Sequence, residues 1–350
     1  MVNAAILGAS GYGGGELLRL LSGHPRAHVT AATSHTYAGR PVRDAFPGAA
    51  KRMDVTFAAS AEPGDLASCD VVFLARDNGI AMREAAAILD AGCKVIDLSA
   101  DFRFRDTSVY DRFYKGPHTA PELAREAVYG LPELHRDAVK AARLVGNPGC
   151  YTTAAILGLA PLVAMDRAEH TVDRGSLIVD AKSGFSGAGR SRFGLPTHFS
   201  EANENARAYN IAGAHRHTPE IEQELSWVSG RDIAISFTPH VVPMTRGIIA
   251  TCYATLVRDI STDDLLAAYA DYYRDEPFVY VSDGLPETKH TLGTNMLHIG
   301  LRVDLRVRRV VVVSCLDNLG KGMAGQAVQN MNLMFDLPET AGLEAPALWP

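Results

Sequence analysis

Residues 4–7 form a short apolar run that leads directly into Gly8-Ala9-Ser10-Gly11-Tyr12-Gly13-Gly14, and residues 16–22 continue with helical periodicity. This strand–glycine–helix junction constrains the fold more than any other feature of the chain. Glycine lets a backbone turn tightly and approach a phosphate, and the helix start offers N–H groups and a favourable dipole to an anion. Glycines at 8, 11 and 14 give the GxxGxxG spacing, a variant of the dinucleotide fingerprint in the context that motif requires. The candidate cofactor contacts are Gly8, Ser10, Gly11, Tyr12, Gly13 and Gly14; a glycine-rich turn without a ligand is the alternative.

The rest of the first 150 residues repeats the alternation. Strands are expected at 29–33, 71–75, 95–98 and 144–146, with a helix over 81–91 closed by Gly92. Short β-rich runs separated by helices indicate βαβ units and a parallel sheet. After residue 150 the texture changes. An amphipathic helix is expected over 152–163, then strands of antiparallel character at 177–181, 233–238, 248–257, 298–307 and 309–315, the last two as a hairpin, and a tail helix over 320–335. The expected class is α/β: a Rossmann-type parallel-sheet NADP-binding domain over 1–149, joined by the tail 318–350. An α+β domain with a mixed, largely antiparallel sheet follows over 150–317.

An NAD site carries an acid at the end of the second strand to bind the ribose 2′-hydroxyl. Residues 31–40 contain none, and Ser34, His35 and Arg40 are there to meet a 2′-phosphate. NADP(H) is the preferred cofactor, with NAD open if the loop is merely polar.

Cys150 follows Asn147-Pro148-Gly149 and directly precedes a helix. A thiol at a helix N-terminus is favoured as thiolate, and the N–H groups of that turn can hold an oxyanion. Cys69, Cys93, Cys252 and Cys315 lie in apolar runs or helical faces and read as core residues. Among twelve histidines, His215 and His217 stand out in His215-Arg216-His217-Thr218-Pro219-Glu220. Pro219 suits a first helical turn, with the helix over 220–228 and Thr218 as N-cap. His217 then projects from a helix start as a candidate general base. A metal site on His215 and His217 is the rival reading, without a third ligand at suitable spacing. Arg103 follows the strand at 95–98, at the sheet edge where ligands of open α/β folds bind, and suits a phosphate or carboxylate; a surface ion pair is the alternative. The loop Ser183-Gly184-Phe185-Ser186-Gly187-Ala188-Gly189-Arg190 can close over phosphate or simply move.

Composition narrows the class. A net charge of −6 gives no basic field for nucleic acid or anionic membrane, and the densest basic group (Arg302, Arg306, Arg308, Arg309) reads as the solvated side of a strand pair. No stretch approaches the roughly 20 apolar residues of a spanning helix, and the N-terminus lacks the marks of a signal peptide. Five cysteines without a CxxC pair argue against a disulfide framework or zinc ribbon. A cytoplasmic setting is expected.

Seven ordered motifs carry a resemblance over nearly the whole chain: GASGYGGGELLRLL at 8–21, DLSADFR at 97–103, GNPGCY at 146–151, KSGFSGAGR at 182–190, HFSEANENARAY at 198–209, AHRHTPEIEQ at 214–223 and DNLGKGMAGQAVQN at 317–330. The chain resembles the N-acetyl-γ-glutamyl-phosphate reductases of arginine biosynthesis, within the aspartate-semialdehyde dehydrogenase superfamily. The resemblance implies that Cys150 attacks the acyl phosphate, releases phosphate and leaves a thioester, which NADPH reduces to the semialdehyde. It implies His217 as acid/base, with His215 less favoured, and substrate contacts by Arg103, Asn147, His215 and Glu220. Ser183, Gly184, Asn318 and Gly322 are expected near the nicotinamide, with the tail helix against the nucleotide domain. A homodimer or homotetramer is implied, with a small-molecule acyl phosphate as substrate and neither nucleic acid nor membrane as partner.

The chain departs from the family at Leu74-Ala75-Arg76-Asp77-Asn78-Gly79, where Leu-Pro-His-Gly is common, at Thr152, where Pro is common, and at His35, where Arg is common. A related branch reduces carrier-protein-linked aminoadipyl phosphate in lysine biosynthesis. The run from Leu337 to Leu343 is similar to that branch, whereas Asn147-Pro148 favours the arginine branch, and a dual role stays open. A non-catalytic NADP(H)-binding regulator is the alternative of a different class.

Overall fold

The computed structural model describes every residue except Lys115, Arg192, Phe193 and Pro350, with Pro63 described without its side chain; the end of the expected tail, Pro350, thus lies outside the described residues. The chain divides into two compact units. The first comprises Met1–Pro148, Gly189–Ser191 and Met323–Ala345; the second comprises Gly149–Ala188, Arg192–Gly322 and Pro346–Pro350.

In the first unit the order is β1 (Val2–Leu7), α1 (Tyr12–Leu21), β2 (Ala27–Ala32), α2 (Val42–Ala45), β3 (Val71–Leu74), α3 (Ala81–Asp90), β4 (Lys94–Asp97), α4 (Thr107–Phe113), α5 (Pro121–Glu126), β5 (Val128–Tyr129), α6 (Pro132–Ala141) and β6 (Leu144–Gly146). The six strands form one sheet in the order β2-β1-β3-β4-β6-β5, parallel throughout. β3 is buried at every position, which is why it reads as an unbroken apolar run rather than an alternating one. The chain leaves β1 for β2 on one side and returns to β3 on the other. Carboxyl ends at such a reversal form the ligand crevice of open α/β sheets, and the glycine turn follows β1 there.

The second unit opens with α7 (Cys150–Glu169) and β7 (Val172–Ser183). It continues through α8 (Phe199–Ala202), β8 (Arg207–Ala208), α9 (Thr218–Ser229), β9 (Ser236–Val241), β10 (Ile248–Leu256), α10 (Thr262–Tyr272), β11 (Val279–Val281), β12 (Leu297–Asp304) and β13 (Arg309–Leu316). Its seven-stranded sheet has the order β11-β12-β13-β10-β7-β9-β8. The hairpin β12–β13 is antiparallel as expected, but β7–β9 and β11–β12 pair in parallel, so the sheet is mixed.

The helix expected to be amphipathic over 152–163 is instead longer and buried on every side from Tyr151 to Val163, the mark of a central core helix. Pro161 interrupts its ladder, since proline has no N–H for the carbonyl four residues earlier. That carbonyl, on Leu157, accepts from Tyr273 Oη at 2.5 Å, and the next, on Gly158, accepts from Tyr269 Oη at 2.8 Å. α10 and its C-terminal residue thus satisfy a break inside α7.

Three further expectations shift. The strand expected at 233–238 begins at Ser236, because Ile233 N and Ile235 N donate to Ser226 Oγ and Glu222 Oε1 of α9 rather than to a ladder. Thr218 is the first helical residue, not the N-cap: the preceding turn, with Thr218 N bonded to His215 O, places His217 at the cap in helical conformation. The tail is one π-turn, Gly320–Ala324, followed by α11 (Gly325–Met334). α11 is buried throughout within the first unit. Its amides answer that burial: Gln326 Nε2 and Asn330 Nδ2 both donate to Gly130 O, at 3.0 and 2.9 Å.

Candidate active site

The candidate nucleotide-binding residues lie in the first unit. Gly8 has φ of +91°, and a Cβ there would stand 2.3 Å from Ala75 O, so only glycine fits this turn. Gly11 is the N-cap of α1 and makes no side-chain cap, leaving first-turn N–H groups for an anion. Gly13 and Gly14 lie in the first turn of α1, and Tyr12, its first residue, is exposed. At the end of β2, Ser34 is buried; its Oγ donates to Ser10 Oγ at 2.7 Å and accepts from Tyr37 N at 3.1 Å. The turns after β1 and β2 are therefore joined. His35 and Arg40 are exposed. This glycine cradle and capless helix start fit a dinucleotide.

The atypical loop after β3 is held by the 97–103 motif. Asp101 accepts from Gly79 N at 2.8 Å, Met82 N at 3.1 Å and Tyr110 Oη at 2.9 Å, while Asn78 Oδ1 accepts from Ala100 N at 3.0 Å. Asp97 is fully buried, and burial together with the nearby Asp101 raises its carboxyl to about 7. Arg103 is buried rather than in a surface ion pair: Nε donates to Asn147 O at 2.7 Å and Nη2 to Leu98 O at 3.1 Å, tying the segments after β4 and β6 together. Asn147 is fully buried, its amide bonded to Met323 O at 3.0 Å and to Asn330 Nδ2 at 3.1 Å.

The candidate thiol centre lies in the second unit. Cys150 is the first residue of α7, after Gly149 at the N-cap, and is partly exposed, whereas the other four cysteines are buried. Burial raises the Cys252 and Cys315 thiols to about 12, which keeps them protonated; these are core residues. Glu220, fully buried near the start of α9, accepts from Gly149 N and from Thr152 Oγ1, both at 2.9 Å. Thr152, a departure from the family pattern, thus helps fix the start of α7. Gly322 packs on the nucleophile: a Cβ there would lie 2.9 Å from Cys150 Cβ.

The structure brings His215 and His217 together, with ring centroids 4.8 Å apart, beside Tyr151, whose ring centre is 5.9 Å from the first and 6.1 Å from the second. Tyr209 and Phe237 enclose His215 further. His215 Nδ1 accepts from His217 N at 3.1 Å. Burial, with Arg216 beside it, pushes His215 down to about 4, so its imidazole is neutral at pH 7. Among the described residues, no group of three His, Cys, Asp or Glu side chains is arranged to hold a metal.

Ser183 ends β7 and Gly184 follows it, with Gly184 N bonded to Gly247 O at 3.0 Å. Asn318 is buried; its Oδ1 accepts from Gly247 N at 2.7 Å and its Nδ2 donates to Ser186 Oγ at 2.8 Å. Asp317 underlies this turn, accepting from Arg246 Nε, Gly293 N and Leu319 N. Sequence reasoning missed that support, and it missed the rings of Tyr151 and Tyr209 around the histidines, although Asp317, Tyr151 and Tyr209 each stand at one end of a quoted motif. It also passed over Arg190 as a contact, although this residue closes the 182–190 motif and lies within the first unit.

Comparison with known proteins agrees with this geometry. Residues 3–142 match the family model described as semialdehyde dehydrogenase, NAD binding domain, and residues 150–318 match the semialdehyde dehydrogenase dimerisation domain. An N-acetyl-gamma-glutamyl-phosphate reductase of Symbiobacterium thermophilum is 53% identical, with 98% of this chain and 97% of the relative covered. Those of Desulforudis audaxviator and Geobacter metallireducens are each 49% identical, with both chains covered completely. Among solved structures, aspartate semialdehyde dehydrogenase II of Vibrio cholerae shares the fold with a TM-score of 0.71 at 17% identity, covering 96% of this chain and 98% of that one. The chain belongs to the semialdehyde dehydrogenase family, in its N-acetyl-γ-glutamyl-phosphate reductase branch.

Proposed function

We propose that the chain reduces N-acetyl-γ-glutamyl phosphate to N-acetylglutamate 5-semialdehyde, with NADPH as hydride source and release of phosphate. The observation that carries this reading is a partly exposed thiol at the first position of a buried helix whose second residue, Tyr151, stands against a histidine pair, in a chain that also holds a dinucleotide turn. The start of α7 favours thiolate and then the oxyanion of the attacked carbonyl. Cys150 Sγ attacks the acyl carbon and phosphate departs, leaving a thioester. NADPH, when bound, would supply the hydride that takes the thioester carbonyl to a hemithioacetal oxyanion. His217 donates a proton to that oxyanion and recovers it as the hemithioacetal collapses to aldehyde and thiolate. His215 is unsuited to that task, because it is pushed down to about 4 and its Nδ1 is engaged.

Arg103, Asn147 and Glu220, expected as substrate contacts, are buried with their polar atoms bonded to the protein. We assign them to positioning the 147–150 turn. Ser183, Gly184, Asn318 and Gly322 stand as the nicotinamide side of the site, supported by Gly322 against Cys150. NADP(H) over NAD is supported by a 31–40 run without an acid. A homo-oligomer formed through the second unit accords with its family model and with the half-exposed sheet face of Ile178, Ile249, Thr251 and Tyr253. Five cysteines, none in a disulfide among the described residues, accord with a cytoplasmic setting.

Run in reverse, phosphate, NADP+ and N-acetylglutamate semialdehyde give NADPH. Turnover of carrier-linked aminoadipyl semialdehyde alone would overturn this substrate and select the lysine branch.

A further inference from the structure

We propose that Arg190 is the residue that reads the 2′-phosphate of NADPH, and so sets the preference over NADH. The proposal rests on NADP(H) as the cofactor.

Although the chain before and after it belongs to the second unit, the segment Gly189–Ser191 belongs to the first. There Arg190 reaches both nucleotide turns: Nη1 donates to Ser10 O at 3.1 Å and Nη2 to the Tyr37 hydroxyl at 3.2 Å. Its guanidinium also stands 5.7 Å from the centre of the Tyr37 ring and 5.3 Å from that of Phe46. Aromatic flanks of this kind fix the plane of a guanidinium and leave its edge for an anion. Two of its five N–H donors are engaged in those bonds, which leaves donors for a phosphate.

Position and charge both favour this residue. The end of β2 is where a parallel-sheet nucleotide fold meets the adenosine ribose, and Tyr37, which Arg190 meets with its Nη2, lies in the turn after β2 and is bonded through its N–H to Ser34 Oγ. Arg40 is the competing cation nearby. However, its Nε pairs with Asp44 at 3.2 Å, and its side chain is 60% exposed. No carboxylate lies within 4.0 Å of Arg190 among the described residues. A half-buried guanidinium without an acid partner, held beside the ribose position, is the stronger anion site, since charge-assisted bidentate bonds need a fixed fork.

The test is a fluorescence titration of NADPH and of NADH against the wild type, Arg190→Ala, Arg190→Lys and Arg40→Ala, reading dissociation constants rather than turnover. Arg190→Ala weakens NADPH about 30-fold or more and leaves NADH within about threefold. Arg190→Lys, which keeps the charge without the fork, falls between, and Arg40→Ala changes both cofactors little. If Arg190→Ala weakens both equally, the residue only holds the loop and the proposal is overturned. It is overturned likewise if the preference for NADPH survives in Arg190→Ala or disappears in Arg40→Ala. A wild type that binds NADH as tightly as NADPH overturns the cofactor reading itself, and the proposal with it.

Discussion

Two helix starts, one in each unit, are built in opposite ways. The start of α1 is backbone: the contiguous run Gly8–Gly14 turns with φ of +91° at its first residue, and the cap makes no side-chain bond. The start of α7 is crowded with side chains from distant segments, with Glu220 on Gly149 and Thr152, and Gly322 against Cys150. The histidine pair stands beside Tyr151. The difference follows from what each must do. A phosphate that is bound whole needs N–H groups and room, which a few local residues supply. A group that changes charge during the reaction needs ionisable neighbours tuned separately, and only tertiary structure assembles those.

The largest separable effect should come from His217. Replacing it with Asn lowers kcat/KM by about 10²–10³-fold while the dissociation constant of NADPH stays within about twofold. His215→Asn loses less and keeps the limb of the pH–rate profile near neutrality; loss of that limb in His215→Asn alone would exchange the two assignments. His215 has a second signature. Its unfolded imidazole takes up a proton near 6.5 and the folded one only at about 4. Wild-type stability therefore falls as pH drops across that window, and His215→Asn flattens the slope. Gly8→Ala is the mirror case. A Cβ 2.3 Å from Ala75 O, on a backbone at positive φ, costs about 2 kcal/mol and weakens NADPH roughly 30-fold. The rate of Cys150 alkylation should not change. If alkylation slows equally, the two helix starts are not the independent devices described above. Smallest is Tyr273→Phe, which strips the Leu157 carbonyl of its donor. Urea unfolding should report a loss of about 1–2 kcal/mol, with turnover per folded molecule unchanged.

The same contrast explains what the sequence shows. The glycine turn, the parallel strands and Cys150 at a helix start are legible because each is a local pattern a few residues long. The parallel pairing of β7 with β9 is not, because alternation along a strand says nothing about the direction of its neighbour. The full extent of α7 past Pro161 is hidden for a related reason: the tyrosine that satisfies Leu157 lies more than a hundred residues away. Arg103 and Asn147 carry residue types that suit an anion, yet both are buried and bonded to neighbouring backbone carbonyls. Residue type is visible in a sequence, whereas solvent access is not.

Acyl transfer through Cys150 is the central claim, and a phosphate-free half-reaction tests it most directly. N-acetylglutamate semialdehyde and NADP+, mixed with enzyme in the absence of phosphate, should give a burst of one NADPH per active subunit. The acyl mass should then be found on the peptide bearing Cys150, and phosphate should discharge it. A burst that persists in Cys150→Ala, or an acyl mass on any other residue, would contradict the account.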